Sequence, residues 1–284
     1  MKVGYCVPVT PSMASYRFRV AIPAPLLGCE YEIGTIGSPS FFYKHFEGDV
    51  DLARDCGPFV FDVVNDHFGG THDAHYRWMT KHAAVVTVSS REMAEIVKRW
   101  TGRDAVVIDD PYENEEWLPQ CEGREVLWLG HAANIQSLFD VVGGIASLPV
   151  VLTVCTNHVH DSVLRWSPDT ERRSLARCAV MLVTGNNRGA SANRIVKALR
   201  AGRFVVTPGG VPAWDEWKDH IWIGDVREGI EWAFNNREEA CQKVASGQNR
   251  LKEKNSPHKI AAQWMEVFAS ISPPDTSGKR AGSP

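Results

Sequence analysis

Short apolar runs recur along this chain, and the segments between them are long enough for helices. In the first half the runs are Lys2–Val9, Tyr31–Gly34, Pro58–Asn65, Ala84–Ser89 and Ala105–Asp109. Pro58–Asn65 is nearly continuous in hydrophobicity, the pattern of a strand covered on both faces. Ser15–Gly28, Thr71–His82 and Ser90–Trp100 lie between runs, and Ser90 can cap the last of them. Ser38–Phe46 is rich in aromatics but has no period that assigns it. Asp110–Glu122 is charged, contains proline and has no period, which marks a linker and a hinge. The pattern then restarts with a strand at Glu125–Gly130, a helix from Asn134 to about Ser147 and strands at Pro149–Cys155, Ala179–Thr184 and Phe204–Thr207. Strand alternating with helix predicts an α/β fold of two Rossmann-like halves with parallel sheets. The expected divisions are residues 1–115, 116–256, a final helix 257–271 that ties the second half back to the first, and a disordered tail 272–284. That helix carries Ile260, Ala261, Trp264, Met265 and Phe268 as one apolar stripe, which needs a partner surface.

One stretch concentrates the chemistry. Ser191–Gly202 places Ile195, Ala198, Leu199 and Gly202 at helical spacing, with Ser191 as a cap and Gly202 as a stop, and leaves Asn193, Lys197 and Arg200 on the other face. Arg194 lies in the first turn, where the helix dipole disfavours a cation unless an anion bridges it to the free amides. A solvated basic helix fits the spacing equally well. The preceding strand and glycine-rich loop, Ala179–Ala190 with Arg188, favour a diphosphate cradle.

Composition narrows the reading. At 284 residues with 44% hydrophobic content the chain can bury two ordinary cores. Its net charge of −3 disfavours DNA as a partner, since it offers no overall positive field. The seven cysteines are scattered and never form a C-x-x-C pair, which points to reduced thiols and a cytoplasmic protein. No apolar stretch is long enough to span a membrane.

Several residues lie where an open α/β sheet meets its ligand, beyond the carboxyl ends of the strands. Arg17 and Arg19 enter the first helix. Asp66 and His67 follow the Pro58–Asn65 strand just before Gly69-Gly70, and either is a candidate for handling an acceptor proton. His72 and His75 could share a metal with Asp66 or His67, but an exposed helix face explains them more simply, and no metal is expected. Gly130 would let backbone approach a ligand, with His131 beside it and Asn157 at the next strand end.

Four segments resemble the nucleotide-sugar-dependent glycosyltransferases of the GT-B fold, a group with mainly retaining members. They are Ser15-Tyr-Arg-Phe-Arg-Val, Val86-Thr-Val-Ser-Ser-Arg-Glu-Met, Val126-Leu-Trp-Leu-Gly-His and Asn193-Arg-Ile-Val-Lys-Ala-Leu-Arg-Ala-Gly-Arg-Phe-Val-Val. The resemblance implies two facing Rossmann-like domains, a nucleoside-diphosphate sugar bound mainly by the second, and a hydroxyl acceptor met mainly by the first. The acceptor would be a glycan, a lipid-linked glycan or a small molecule; hydroxylated bases in DNA are an alternative. Many relatives carry two glutamates eight positions apart, and the matching positions here are Gly189 and Lys197. The departure leaves two readings: a branch using Asn193, Arg194 and Lys197 on the diphosphate, or a nucleotide-sugar-binding protein without turnover. On the first reading the catalytic set is Arg194 and Lys197 with His67 or Asp66. The donor set is Arg17, Arg19, Gly130, His131, Asn157, Arg188, Ser191, Asn193, Arg194 and Lys197. No Asp-x-Asp pair sits at a strand end in this set, so activity is expected without a metal.

Overall fold

The structure, a computed structural model, describes residues 1–7, 13–44, 48–113, 117–119, 123–157, 163–185, 189 and 191–272. Arg188 and the tail beyond Ser272 lie outside these residues, as do the middle and end of the expected linker.

The first sheet comprises β1 (Lys2–Cys6), β2 (Glu30–Ile33), β3 (Ser40–Tyr43), β4 (Phe59–Val63), β5 (Val85–Val88) and β6 (Val106–Val107). Their order is β2-β1-β3-β4-β5-β6, and every pairing is parallel. The aromatic segment that had no period is β3. Phe41, Phe42 and Tyr43 are all buried because helices cover both faces of the sheet, which removes any alternation of polar and apolar positions. The helices are α1 (Ala14–Tyr16, continuing as a π-turn over Arg17–Ala21), α2 (Asp49–Asp55), α3 (Asp73–His82) and α4 (Arg91–Thr101). The long first helix expected from Ser15 ends early, since Pro23 and Pro25 cannot continue an α-helical ladder. Ser90 caps α4 by accepting from the Met93 amide at 3.1 Å.

The second sheet holds β7 (Glu125–Gly130), β8 (Val151–Thr156), β9 (Leu164–Arg165), β10 (Val180–Leu182), β11 (Phe204–Thr207) and β12 (Trp222–Ile223). Its order is β12-β11-β10-β7-β8-β9, again with every pairing parallel. Renumbered from β7, that is the 3-2-1-4-5-6 order of the doubly wound dinucleotide fold, and the direction of winding reverses between β7 and β10. Ligands of such sheets sit beyond the strand ends at that reversal. Around the sheet lie α5 (Ile135–Ile145), α6 (Pro168–Arg177), α7 (Asn193–Arg200), α8 (Val226–Asn235) and α9 (Arg237–Lys254).

The last helix, α10 (Pro257–Ile271), leaves the second domain and packs on the first. Its Trp264 ring meets Phe41 edge-on at 5.1 Å, and Phe268 lies 6.2 Å from Tyr5. The chain therefore passes between the domains twice, and the two crossings are tied together. Asn255, buried before α10, donates from Nδ2 to the Asp110 carbonyl at 2.8 Å, and its own carbonyl accepts from the Tyr112 amide at 3.0 Å. Among the described residues no helix is long and apolar enough to cross a membrane.

Beneath these crossings lies a buried ion pair. Arg19 is 1% exposed and donates from Nε and Nη2 to both carboxylate oxygens of Asp62 on β4, at 2.8 and 2.7 Å. Its Nη1 donates to the Ile108 carbonyl and lies 3.4 Å from Asp110 Oδ1, and the guanidinium sits 4.9 Å above the Trp264 ring. Thr87 on β5 adds a hydrogen bond to Asp62 at 2.7 Å. One side chain thus joins α1, the sheet, the start of the first crossing and the closing helix. Asp62→Ala strands the Arg19 charge in the core, and we expect a loss of about 3–5 kcal/mol in chemical denaturation.

Candidate functional site

The carboxyl ends of β7 and β10, where winding reverses, are cross-braced by side chains. Trp128 on β7 donates from its indole nitrogen to Thr184 Oγ1 at 2.8 Å, and Ser137 of α5 lies 2.7 Å from the same hydroxyl. The indole lies against Gly130, where a Cβ would come within 2.5 Å of the ring. Gly130 is thus required by the packing of Trp128. His131 and Asn157 meet at the ends of β7 and β8. Asn157 Oδ1 accepts from the Ala132 amide at 2.8 Å, and its Nδ2 lies 3.1 Å from His131 Nε2.

Beyond β10 the chain turns through Gly185 towards α7. Arg194, in the first turn of α7, brings Nη2 to 3.3 Å from where a Gly185 Cβ would stand, so a side chain at 185 would crowd the guanidinium. Trp214 lies 5.9 Å from the guanidinium carbon and donates from its indole to the Ser191 carbonyl at 3.4 Å. Among the described residues Arg194 Nη1 is buried without a hydrogen-bond partner. Burial pushes the guanidinium down to about 10, so at neutral pH it stays charged, desolvated and uncompensated.

Ser191 does not cap α7 in the manner its position predicts. The residue at the helix entrance is Ala192, and Ser191 Oγ accepts only from the Asn193 amide, at 3.4 Å. The Ser191 hydroxyl instead faces Asp110 and draws its carboxyl down, an interaction between the domains. Burial raises the Asp110 carboxyl above its usual range, against the opposing pull of Arg19 and this hydroxyl. Arg200 does not share an open face with Asn193 and Lys197. It is buried against the rings of Tyr112 and Trp117, with its guanidinium carbon 5.2 Å from each.

Arg17 and Arg19 part company. Residues two apart on a helix do not share a face, so one arginine turns inward and the other towards the second domain. Arg19 is therefore withdrawn from the donor set, because its guanidinium is committed to Asp62 in the core. Arg17 reaches Glu113 on the first crossing, and its guanidinium lies 5.9 Å from the ring of Trp166 in the second domain. Glu113 Oε2 also forms an ion pair with Lys197 Nζ at 3.1 Å. Lys197 in turn bonds Glu171 of α6, whose other oxygen accepts from the Trp166 indole at 2.6 Å. Burial alone would raise the Glu113 carboxyl, but Lys197 and Arg17 outweigh it and hold the group below its ordinary value.

Asp66 and His67 stay with the first domain. Asp66 Oδ1 accepts from the Phe68 amide at 3.1 Å, and the His67 ring lies 4.9 Å from Tyr76 and 5.7 Å from His72. His75 turns to Asp49 at 3.2 Å. None of these contacts draws the loop towards Arg194 or Lys197. The domains do touch nearby: Ser90 Oγ donates to the Gly189 carbonyl at 3.4 Å, and a Cβ on Gly189 would clash with the Met93 methyl at 2.2 Å.

Sequence reasoning missed Glu113, Glu171 and Trp214. Glu113 sits in a charged stretch that has no period, and Glu171 reads as the ordinary acidic first turn of a capped helix. Only the pairing of Lys197 with two carboxylates gives either one a role.

Comparison with solved structures places the architecture. HepE of Anabaena, solved in complex with UDP and glucose, superposes with a TM-score of 0.72 at 13% identity, covering 95% of this chain and 100% of its own. TarM of S. aureus gives 0.65 at 14% identity, over 81% of this chain and 55% of that one. A glycosyltransferase from Rickettsia africae gives 0.65 at 9% identity, over 95% and 98%. No family model and no curated protein matches the sequence. The fold is that of the GT-B glycosyltransferases, two Rossmann-like domains in one chain.

The charge state of Glu113 has a measurable consequence. Its folded-state value is lowered, so its contribution to stability is complete above its ordinary value of 4.5 and is lost as pH falls through the lower folded value. Glu113→Gln should be less stable than the wild type by about 1–3 kcal/mol at about pH 7, and in parallel urea titrations the gap should close as pH falls from the ordinary value of 4.5 through the lower folded value.

Proposed function

We propose that this chain is a metal-independent glycosyltransferase that moves a sugar from a nucleoside-diphosphate donor to a hydroxyl acceptor, with retention at the anomeric carbon. The carrying observation is the buried guanidinium of Arg194. It sits beside Gly185 at the reversal point of the second sheet, charged and with Nη1 unpartnered. An anion there would relieve the cost of its burial. The GT-B fold supports the same reading, and HepE and TarM are solved with UDP.

When the glycosidic bond to the diphosphate breaks, negative charge builds on the departing phosphate while the anomeric carbon becomes cationic. Fixed cations aimed at that oxygen lower the barrier most. Arg194 and Lys197 from α7, with the Asn193 amide and Arg188, supply the second domain's share, and Arg17 approaches from the first. Cations in these roles take the place of a divalent ion. His67 or Asp66 would receive the acceptor proton once the acceptor is seated on the first domain. The acceptor is a glycan, a lipid-linked glycan or a small hydroxylated molecule.

Arg194→Ala should weaken UDP binding by about 1.5–3 kcal/mol in calorimetry, the value of a charge-assisted hydrogen bond, and unchanged affinity would overturn the donor site. Turnover of a UDP-sugar panel should survive a chelator. Loss of activity that magnesium or manganese restores would overturn metal independence. Donor binding without turnover against any acceptor would instead make the chain a nucleotide-sugar-binding protein.

A further inference from the structure

The cations expected to meet the donor from both domains already hold an anion. Arg17 comes from α1 of the first domain and Lys197 from α7 of the second. Glu113, on the strand of chain that crosses between them, engages both. Its place is set by its neighbour: the Tyr112 amide is fixed to the Asn255 carbonyl at 3.0 Å, so the carboxylate is delivered into the cleft from the point where the two crossings meet. The carboxylate is largely buried and takes Arg17 through Nε, with Nη2 at 3.5 Å. Glu171 neutralises the remaining side of Lys197. Arg17 and Lys197 thus both face Glu113, Lys197 also faces Glu171, and among the described residues no carboxylate pairs with Arg194.

A diphosphate seated against Arg194 within reach of Lys197 would face Glu113 at close range. Two anions sharing a partly desolvated pair of cations repel, so one must leave. Glu171 is anchored at both oxygens, by Lys197 and by the Trp166 indole, and it rides on a regular helix. Glu113 rides on an irregular crossing and is the group free to withdraw.

We infer, resting on the donor reading above, that Glu113 is an autoinhibitory anion: its carboxylate occupies the cross-domain anion position formed by Arg17 and Lys197, and the donor's diphosphate displaces it. In the ligand-free protein Glu113 ties the two domains. On donor binding the same two cations transfer to phosphate oxygens, and the Glu113 carboxylate withdraws.

The full chain, as wild type, Glu113→Gln and Glu113→Asp, is titrated calorimetrically with inorganic pyrophosphate and with UDP at fixed ionic strength, and thermal unfolding is used to confirm that each variant is folded. Removing the competing charge should tighten both ligands about tenfold in Glu113→Gln, while Glu113→Asp, which keeps the charge, stays near the wild type. A residue with a purely structural role would weaken binding or leave it unchanged when replaced by glutamine. Either result overturns the inference while leaving the donor site intact, provided the wild type binds. Binding seen only in Glu113→Gln supports the inference in its strongest form. If Glu113→Gln does not fold, Glu113→Ala carries the test: tighter pyrophosphate binding supports the inference, and unchanged or weaker binding overturns it. Failure of folded wild type and variants alike to bind either probe overturns the donor reading and this inference together.

Discussion

A buried guanidinium on a buried carboxylate underlies the arrangement of the whole molecule. Arg19 and Asp62 are almost completely removed from water, a situation that is costly unless both groups are fully hydrogen-bonded. Asp62 receives two bonds from Arg19 and one from Thr87, and Arg19 adds the Ile108 carbonyl and the ring of Trp264. These partners come from α1, β4, β5, the first crossing and α10. Satisfying one charge therefore sets the docking angle of the closing helix and the point at which the chain leaves the first domain. Asp110, Tyr112 and Asn255 are positioned as a consequence, and with them the cleft.

The cleft inherits a second, looser charge system. Its members are less buried than Arg19 and Asp62, and two of them come from opposite domains, so their geometry depends on how the domains face each other. The inner pair resembles a fixed pivot and the outer network a latch. The partners of such ion pairs can be exchanged when another anion offers the same cations its charge. Arg194 stands apart from both systems. Glycine at position 185 and the Trp214 indole bring its guanidinium close to backbone without giving Nη1 a bond, which leaves its field directed at whatever anion arrives.

The four residues at the reversal point of the second sheet show how a site can be stiffened from behind. Trp128, Thr184, Ser137 and Gly130 link the ends of β7 and β10 through one indole and one hydroxyl. None of them needs to touch a ligand to matter. A strand end that cannot shift holds Gly185, and through it Arg194, at a set distance from the start of α5.

Local sequence was enough for much of the architecture. Helix α4, strands β7 and β11, and the apolar stripe of α10 follow from short-range spacing and caps, because hydrogen bonds and side-chain neighbours within an element lie a few residues apart. The alternation of strand and helix likewise implied two parallel sheets. The strand at Ser40–Tyr43 escaped, since a segment buried on both faces shows no period. In the cleft, spacing picked out Arg17, Arg194 and Lys197, but it also nominated Arg19, which folding sent to the core, and it passed over Glu113 and Glu171. Whether a charged side chain meets solvent, a ligand or an opposite charge depends on residues as far apart in sequence as Arg17 and Glu113, and those meet only when two domains and two chain crossings are assembled.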